Sequence, residues 1–172
     1  MVKHYKTLTT VSIHMQKNFA NMNKKNILFI PNGYNNQVFH IESDLIRKKK
    51  SILFVGQLTN AKGVDILLRL ADLMLDYTFT FVGEGVLKNT VSKDNVNFEG
   101  EKKSDKLQEY YNSNDYSIFP SKYENFPLVG LEAMACGSIV IASNKGFDHY
   151  INDKENGFII KEPDEYKILE IL

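Results

Sequence analysis

The stretch that most constrains the fold of this chain runs from Asp115 to Ala142. Asp115-Tyr116-Ser117-Ile118-Phe119 is a short apolar strand stopped by Pro120, and Ile139-Val140-Ile141-Ala142 is a second apolar run. Between them lies the loop Pro120-Ser121-Lys122-Tyr123-Glu124-Asn125-Phe126, then Pro127 beside the first apolar-periodic residues, then Gly137. Proline just at the start and glycine just past the end frame a helix between the two strands. Strand, loop, helix, strand in so few residues requires a parallel pair of strands with the helix crossing between them. Two carboxylates are spaced eight residues apart, Glu124 in the loop and Glu132 about a turn into the helix, so both can face the space above the helix start. Free backbone N–H groups and the positive end of the helix dipole make that space favourable for a phosphate. A carboxylate one turn further on is placed to accept hydrogen bonds from sugar hydroxyls, and the pairing points to a nucleotide sugar.

The rest of the chain repeats the alternation. Strands are predicted at Ile27–Ile30, Ser51–Gly56, Thr78–Val82, Val96–Phe98 and Asn156–Ile160. A helix over Val11–Asn23, capped by Ser12, carries a thin stripe of Ile13, Phe19 and Met22. A second spans Val64–Leu75, with Leu67, Leu68, Ala71 and Leu75 at core spacing. A short helix near Val86–Val91, one capped by Ser104 that contains Leu107 and Tyr110, and a terminal helix from Pro163 to Leu172 complete the set. Pro31-Asn32-Gly33 reads as a turn in which Gly33 takes positive φ, and Arg47-Lys48-Lys49-Lys50 as a solvated loop. His149 reads as a surface histidine. Apolar strands alternating with helices predict a Rossmann-like α/β fold, a parallel sheet with helices on both faces. Ligands bind such sheets at the carboxyl ends of the strands, where Gly56, Gly83 and Pro120 each end one.

Composition removes several classes. At 172 residues and 43% hydrophobic content the chain has room for one domain with a sizeable core. Lysine plus arginine and aspartate plus glutamate balance at 21 each, so no net field recruits nucleic acid or an anionic membrane, and an anion must be bound locally. One cysteine, Cys136, forms no internal disulfide and fits a reducing compartment. No apolar run approaches the ~18 residues of a membrane span, and Met1–Lys6 has no signal-peptide core. The expectation is a cytoplasmic protein with no transmembrane segment. No His/Cys/Asp/Glu cluster has metal-ligand spacing, so no metal and no cofactor is expected.

The order Pro-Ser, Glu-x7-Glu and Glu-Ala-Met-Ala-Cys-Gly over residues 120–137 resembles the donor-binding signature of GT-B glycosyltransferases of family 4, the glycosyl transferases group 1. Gln57-Leu58-Thr59-Asn60-Ala61-Lys62-Gly63 is similar to that family's phosphate loop, Gly-Arg-x-x-x-x-Lys-Gly, with Gln57 in place of the arginine. The turn Val82-Gly83-Glu84-Gly85, the segment Phe98-Glu99-Gly100 and a Pro-Asn-Gly turn followed by Phe39 match further motifs in the family's order, while Ser143–Ile151 matches in part. The resemblance covers residues 11 to 162 and implies a retaining enzyme that moves a hexose from a nucleotide diphosphate sugar to a glycan, lipid or other acceptor, as in polysaccharide biosynthesis. It implies that Glu124 and Lys62 are catalytic. Glu124 contacts the transferred sugar, with the N–H groups of Asn125 and Phe126 beside it. Leu128 and Val129 N–H groups hold the diphosphate with Lys62 and Gln57, and Glu132 accepts from the ribose. Gly56, Gly83, Glu84 and Gly85 line the donor, and the loop with Glu101 and Lys102 walls the base.

By the same resemblance, residues 1–26 are a remnant or linker of an acceptor-binding N-terminal domain and residues 27–172 the donor-binding domain, the C-terminal half of a GT-B fold. The partners implied are the nucleotide sugar and the acceptor-binding domain, through which the protein is expected to be peripheral to a membrane. A glutamine carries no charge and makes no bidentate contact, so weaker diphosphate binding is expected of Gln57. That departure supports the competing reading, a non-catalytic nucleotide-binding module or degenerate remnant. A dinucleotide-dependent oxidoreductase is disfavoured because no Gly-x-Gly-x-x-Gly follows the first strand.

Overall fold

A computed structural model describes residues 7–23 and 26–172, with the side chains at 22 and 23 outside the description. The chain divides into two compact units, Met1–Gly33 and Tyr34–Leu172. In the first, strands β1 (Thr7–Thr10) and β2 (Asn26–Phe29) pair in parallel, joined by helix α1 (Ile13–Asn23). Ser12 caps this helix as expected, its Oγ accepting from the Met15 N–H at 3.4 Å, and Gln16 ties it to β2 by donating to the Ile27 carbonyl at 2.6 Å. Phe19 is 39% exposed, so the predicted apolar stripe is thinner still; the Met22 part of that expectation lies outside the described residues. Strand β1 has only Leu8 among threonines, too little apolar signal to announce itself. The sequence reading sets its boundary after residue 26, whereas the division falls after Gly33 and leaves β2 with the first unit.

The second unit holds a six-stranded sheet of β3 (Lys48–Val55), β4 (Thr78–Val82), β5 (Val96–Gly100), β6 (Asn114–Phe119), β7 (Ile139–Ser143) and β8 (Phe158–Ile160). The order is β5-β4-β3-β6-β7-β8 and every pair is parallel. The chain leaves β3 in one direction through β4 to β5, then returns to build β6, β7 and β8 on its other side. Right-handed crossovers running in opposite directions put their helices on opposite faces. Accordingly α2 (Val64–Leu73) packs with α5 (Glu165–Leu169), and α3 (Ser104–Ser113) with α4 (Leu128–Ala135). The α/β fold read from the sequence is therefore the one found. Central β3 has Ile52, Leu53, Phe54 and Val55 buried in succession, as a strand covered on both faces requires. Each such side chain contributes about 1.5–3 kcal/mol by leaving water.

Several local expectations are corrected. Helix α2 ends at Leu73 because Met74 leaves the helical region at φ −126° and turns its side chain into the core, which puts Leu75 at 78% exposure instead of in the core. Val86–Val91 is a string of turns instead of a helix: the Lys88 and Thr90 N–H groups reach back three residues, to the Gly85 and Leu87 carbonyls, as in turns. Ser104 is the first residue of α3, not its cap; Lys103 holds the cap position without a side-chain bond. The terminal helix starts after Asp164, whose carboxylate accepts from the Lys167 N–H at 2.9 Å. Gly33 is not among the glycines with positive φ; the turn forms at Asn35, whose carbonyl accepts from both Val38 and Phe39 N–H groups. Phe39 is buried and meets the Tyr111 ring edge-on at 6.0 Å.

The basic run is the largest correction. Lys48–Lys50 open β3, and Arg47 is a structural tie. Its guanidinium donates to the carbonyls of Tyr111 and Asn114 at the end of α3 and of Cys136 at the end of α4. A fixed cation at two helix C-termini satisfies carbonyls that have no partner within the helix and sits at the negative end of both dipoles. Replacing it by methionine, which keeps the stem, is expected to lower the unfolding free energy by about 2–3 kcal/mol, the scale of a charged hydrogen-bond set. Arg47→Lys should recover less than half of this, because one ammonium does not reach three carbonyls; urea titration of the variants measures both.

Candidate functional site

The sheet order reverses between β3 and β6, and the crevice at the carboxyl ends of strands at such a reversal is where ligands bind in open α/β sheets. The two loops that flank it here are the one after β3, carrying Lys62, and the one after β6, carrying Glu124. They are joined at three points. The Lys62 ammonium lies 2.5 Å from Glu124 Oε1, with the two side chains 27% and 17% exposed. The Lys122 N–H donates to the Ala61 carbonyl at 2.9 Å. Gly63 sits with φ +75°, and a Cβ built on it would lie 2.3 Å from the Pro120 carbonyl oxygen, so a side chain there would push the loops apart.

A second set of contacts fixes the far side of the Glu124 loop. Gly146, at φ +79°, packs its Cα side against the Asn125 backbone, with a virtual Cβ only 2.8 Å from the Asn125 carbonyl. Ser143 Oγ donates to the Ser121 carbonyl at 2.7 Å. Phe126 is buried, stacked on the His149 ring at 5.7 Å and tilted against Tyr150 at 5.3 Å. His149 is therefore half-buried packing for the loop, which corrects its reading as a surface histidine. The Tyr150 hydroxyl donates to the carbonyl of Pro127, the cap residue of α4, at 2.6 Å. Burial and the nearby Glu124 and Glu132 charges push the Tyr150 phenol well above its ordinary range, so it stays a protonated donor. Sequence reasoning missed Gly146 and Tyr150. The glycine before an aromatic pair was the available signal; nothing local to Tyr150 marks its bond to Pro127.

No side chain caps α4 at Pro127, so the backbone N–H groups of the first turn, including exposed Leu128 and half-buried Val129, remain available to an anion. Glu132 lies on this helix, half-buried, and accepts from the hydroxyl of fully buried Tyr111 at 3.2 Å. Burial raises the Glu132 carboxyl above its ordinary value, and the Tyr111 hydroxyl partly pulls it back. Cys136 is buried and its thiol is pushed up to about 11, so it is protonated and unreactive at neutral pH.

The remaining sequence-predicted residues meet in a cleft of about 410 Å³ beside these loops. Val55, Gly56 and Gln57 enter from the end of β3, Val82, Gly83 and Glu84 from the end of β4, Glu101 and Lys102 from the loop after β5, and Leu107 from α3. Gln57 is exposed. Glu84 is held by Lys88 at 2.7 Å, and the Lys102 ammonium is drawn 2.5 Å from the Glu99 carbonyl. Gly85 is pressed against the Leu58 backbone, and neither it nor Glu132 lines this cleft. Among the described residues no group of three His, Cys, Asp or Glu side chains is placed to hold a metal ion, and no helix is long and apolar enough to cross a membrane.

The Tyr111–Glu132 pair carries a pH signature. Because the folded pKa of Glu132 lies above 4.5, folding favours its protonated form. The stability this contributes is full below 4.5 and is lost as pH rises through the folded value. Tyr111→Phe removes the hydroxyl hydrogen bond that lowers the pKa, so the Glu132 carboxyl resonance should titrate at higher pH and the loss of stability should extend upward with it. An unchanged or lower titration midpoint in carboxyl carbon NMR would show that the hydroxyl does not serve Glu132.

Residues 35–171 match the family model described as glycosyl transferases group 1. The chain is 32% identical over 169 residues to an uncharacterized glycosyltransferase of Methanocaldococcus jannaschii, covering 91% of this chain and 47% of that protein. It superimposes on the C-terminal domain of a glycosyl transferase group 1 family protein (LpcC) from Francisella tularensis with TM-score 0.70 at 25% identity, over 81% of this chain and 85% of that one. It also superimposes on Anabaena HepE in complex with UDP-glucose, with TM-score 0.79 at 17% identity, over 98% of this chain and 53% of the other. The chain spans between about 38% and 47% of the length of the first curated relatives it matches. The match over most of the chain, on a parallel sheet whose switch-point loops carry the Glu-x7-Glu motif, places this protein in the glycosyl transferases group 1 family, with the fold of the GT-B C-terminal domain.

Proposed function

We propose that this chain is the donor-binding domain of a retaining, family 4 glycosyltransferase that transfers a hexosyl group from a nucleotide diphosphate sugar, without a metal ion. The single observation that carries the reading is the meeting of Lys62 and Glu124 across the sheet's switch point, directly before the uncapped start of α4. The base enters the cleft of Gly56, Gln57, Gly83, Glu84, Glu101 and Lys102. The diphosphate lies on the first-turn N–H groups of Leu128 and Val129, with Lys62 and Gln57 as side-chain donors. As the bond from the sugar to the diphosphate breaks, charge grows on the leaving oxygen, and fixed donors aimed there stabilise it more than they stabilise the ground state. Glu124, with the Asn125 and Phe126 N–H groups, orients the hexose, and Glu132 accepts from the ribose. HepE, a structural neighbour bound to UDP-glucose, supports a donor of this class. The acceptor-binding domain is proposed to lie outside these residues, in a protein that works in polysaccharide biosynthesis on the cytoplasmic side of a membrane.

Lys62 and Glu124 neutralise each other at 2.5 Å, so the incoming diphosphate must share or take the ammonium. That exchange opens the carboxylate to the sugar. A nucleoside diphosphate that lacks a sugar pays for the exchange without using Glu124. Glu124→Gln should therefore tighten diphosphate binding about three- to tenfold, a partly exposed pair being worth ~1 kcal/mol, while it abolishes discrimination for the sugar. Gln57→Arg restores the missing charge and should strengthen diphosphate binding by about 1–2 kcal/mol. Calorimetry with UDP, GDP and ADP, and with the corresponding nucleotide sugars, in the presence of a chelator tests all three points. Failure of every nucleotide to bind overturns the reading, and unchanged affinity for Gln57→Arg removes that loop from the phosphates. Gln57 itself favours the second reading, a nucleotide-binding module without turnover. Binding that stays intact while no transfer occurs, even with an acceptor domain supplied in trans, selects it.

A further inference from the structure

A second cleft, of about 380 Å³, is lined by Lys122, Tyr123, Glu124, Asn125 and Lys145. Neither the Lys122 nor the Lys145 ammonium has a carboxylate partner or a hydrogen bond among the described residues. Lysines elsewhere do: Lys50, Lys88, Lys93 and Lys106 each hold an acid within 2.7 Å. Other lysines stand alone on the surface; these two are distinguished by sharing a cleft with the residue proposed to orient the sugar. Their backbones are fixed. Lys122 is tied to Ala61, and Lys145 lies between Asn144, whose N–H donates to the Ile160 carbonyl at 3.2 Å, and Gly146, packed on Asn125. Lys122 and Lys145 line this cleft with Glu124 as its one acidic residue, and the Glu124 carboxylate is already paired with Lys62. Asp148, on the following turn, does not line the cleft. Tyr123 is 80% exposed and offers a flat ring at its edge.

Two uncompensated cations, an aromatic face and an amide beside a sugar-orienting carboxylate suit a carbohydrate that bears its own negative charge. We infer that this cleft binds an anionic substituent, carboxylate or phosphate, beside the carboxylate proposed to orient the sugar, so that the enzyme acts on a charged glycosyl substrate. The inference rests on the donor reading above and deepens it by naming the substrate class. Two sources supply that chemistry. A uronic acid as the transferred sugar places its carboxylate there, and a phosphorylated acceptor places a phosphate there.

The test uses the full chain and the double variant Lys122→Ala/Lys145→Ala. UDP, GDP and ADP are titrated first, and the double variant should match the parent within about twofold at physiological salt, since separated surface charges are screened. In the donor arm, UDP-glucuronate is compared with UDP-glucose. In the acceptor arm, glucose 6-phosphate is compared with glucose in the presence of saturating nucleoside diphosphate. The expected result is a preference of about tenfold for the anionic ligand in one arm, the scale of a charge-assisted contact, falling to within about twofold in the double variant. The arm that responds identifies the source. Equal affinity for charged and neutral ligands in both arms overturns the inference and leaves the donor reading intact. If no nucleoside diphosphate binds, the donor reading fails, and glucose 6-phosphate against glucose, followed by NMR at the two lysines, still decides the cleft.

Discussion

The site depends on how closely the loops after β3 and β6 approach each other. Neighbouring parallel strands at a reversal of sheet order send their following helices to opposite faces, which leaves an unfilled wedge above the strand ends. Here the wedge is closed at its base and left open above. Gly63 lets the Pro120 carbonyl come within the space a side chain would occupy, and Ala61 and Lys122 share a backbone hydrogen bond. The ion pair of Lys62 and Glu124 sits on that base. Its two members come from positions 62 residues apart. Their meeting therefore follows from the sheet order and from the absence of a Cβ at one position, rather than from any attraction strong enough to organise the fold.

The same economy holds α4. Its start is placed by Tyr150 through the Pro127 carbonyl and by Phe126 between two rings; its end is placed by Arg47 through the Cys136 carbonyl. A helix of eight residues is too short to be stable on its own, so these external ties are what keep its first N–H groups in one direction. Buried Tyr111, bonded to Glu132, connects it to α3, whose end Arg47 also holds. The uncapped start of α4 is thus supported from both termini and from its flank by Tyr150, Arg47 and Tyr111.

Much of this could be read in the sequence because the signals are local. The apolar runs of β4, β6 and β7 and the Pro127 to Gly137 frame of α4 each lie within a few residues. Helix ends were read less well, since the choice between continuing and stopping after Leu73 depends on where Met74 finds the core, a tertiary matter. Arg47 shows the limit. Four basic residues in a row look like solvated surface, and only the convergence of two helix ends on one point turns the first of them inward. Tyr150 and Gly146 escaped for the same reason: their partners, Pro127 and Asn125, are some twenty residues away, in the loop after the neighbouring strand β6. The candidate site residues were marked by their spacing, whereas those that position them were marked by nothing nearby.

Without a ligand, the cations among the residues assigned to the donor are each already engaged. Lys62 holds Glu124, and Lys102 is folded back on Glu99. An anion entering the crevice must displace a carboxylate to use either of them, which subtracts from the affinity each would otherwise give. The backbone N–H groups at the start of α4 carry no such debt. They have no side-chain cap, they are fixed by Tyr150 and Phe126, and they need no rearrangement to meet a phosphate. With a neutral Gln57 where the family's loop has arginine, the balance shifts further from side-chain charge toward these fixed dipoles. The start of α4 therefore offers fixed, uncapped dipoles, whereas Lys62 is bound to Glu124, so an anion that drew the ammonium away would leave that carboxylate without its partner.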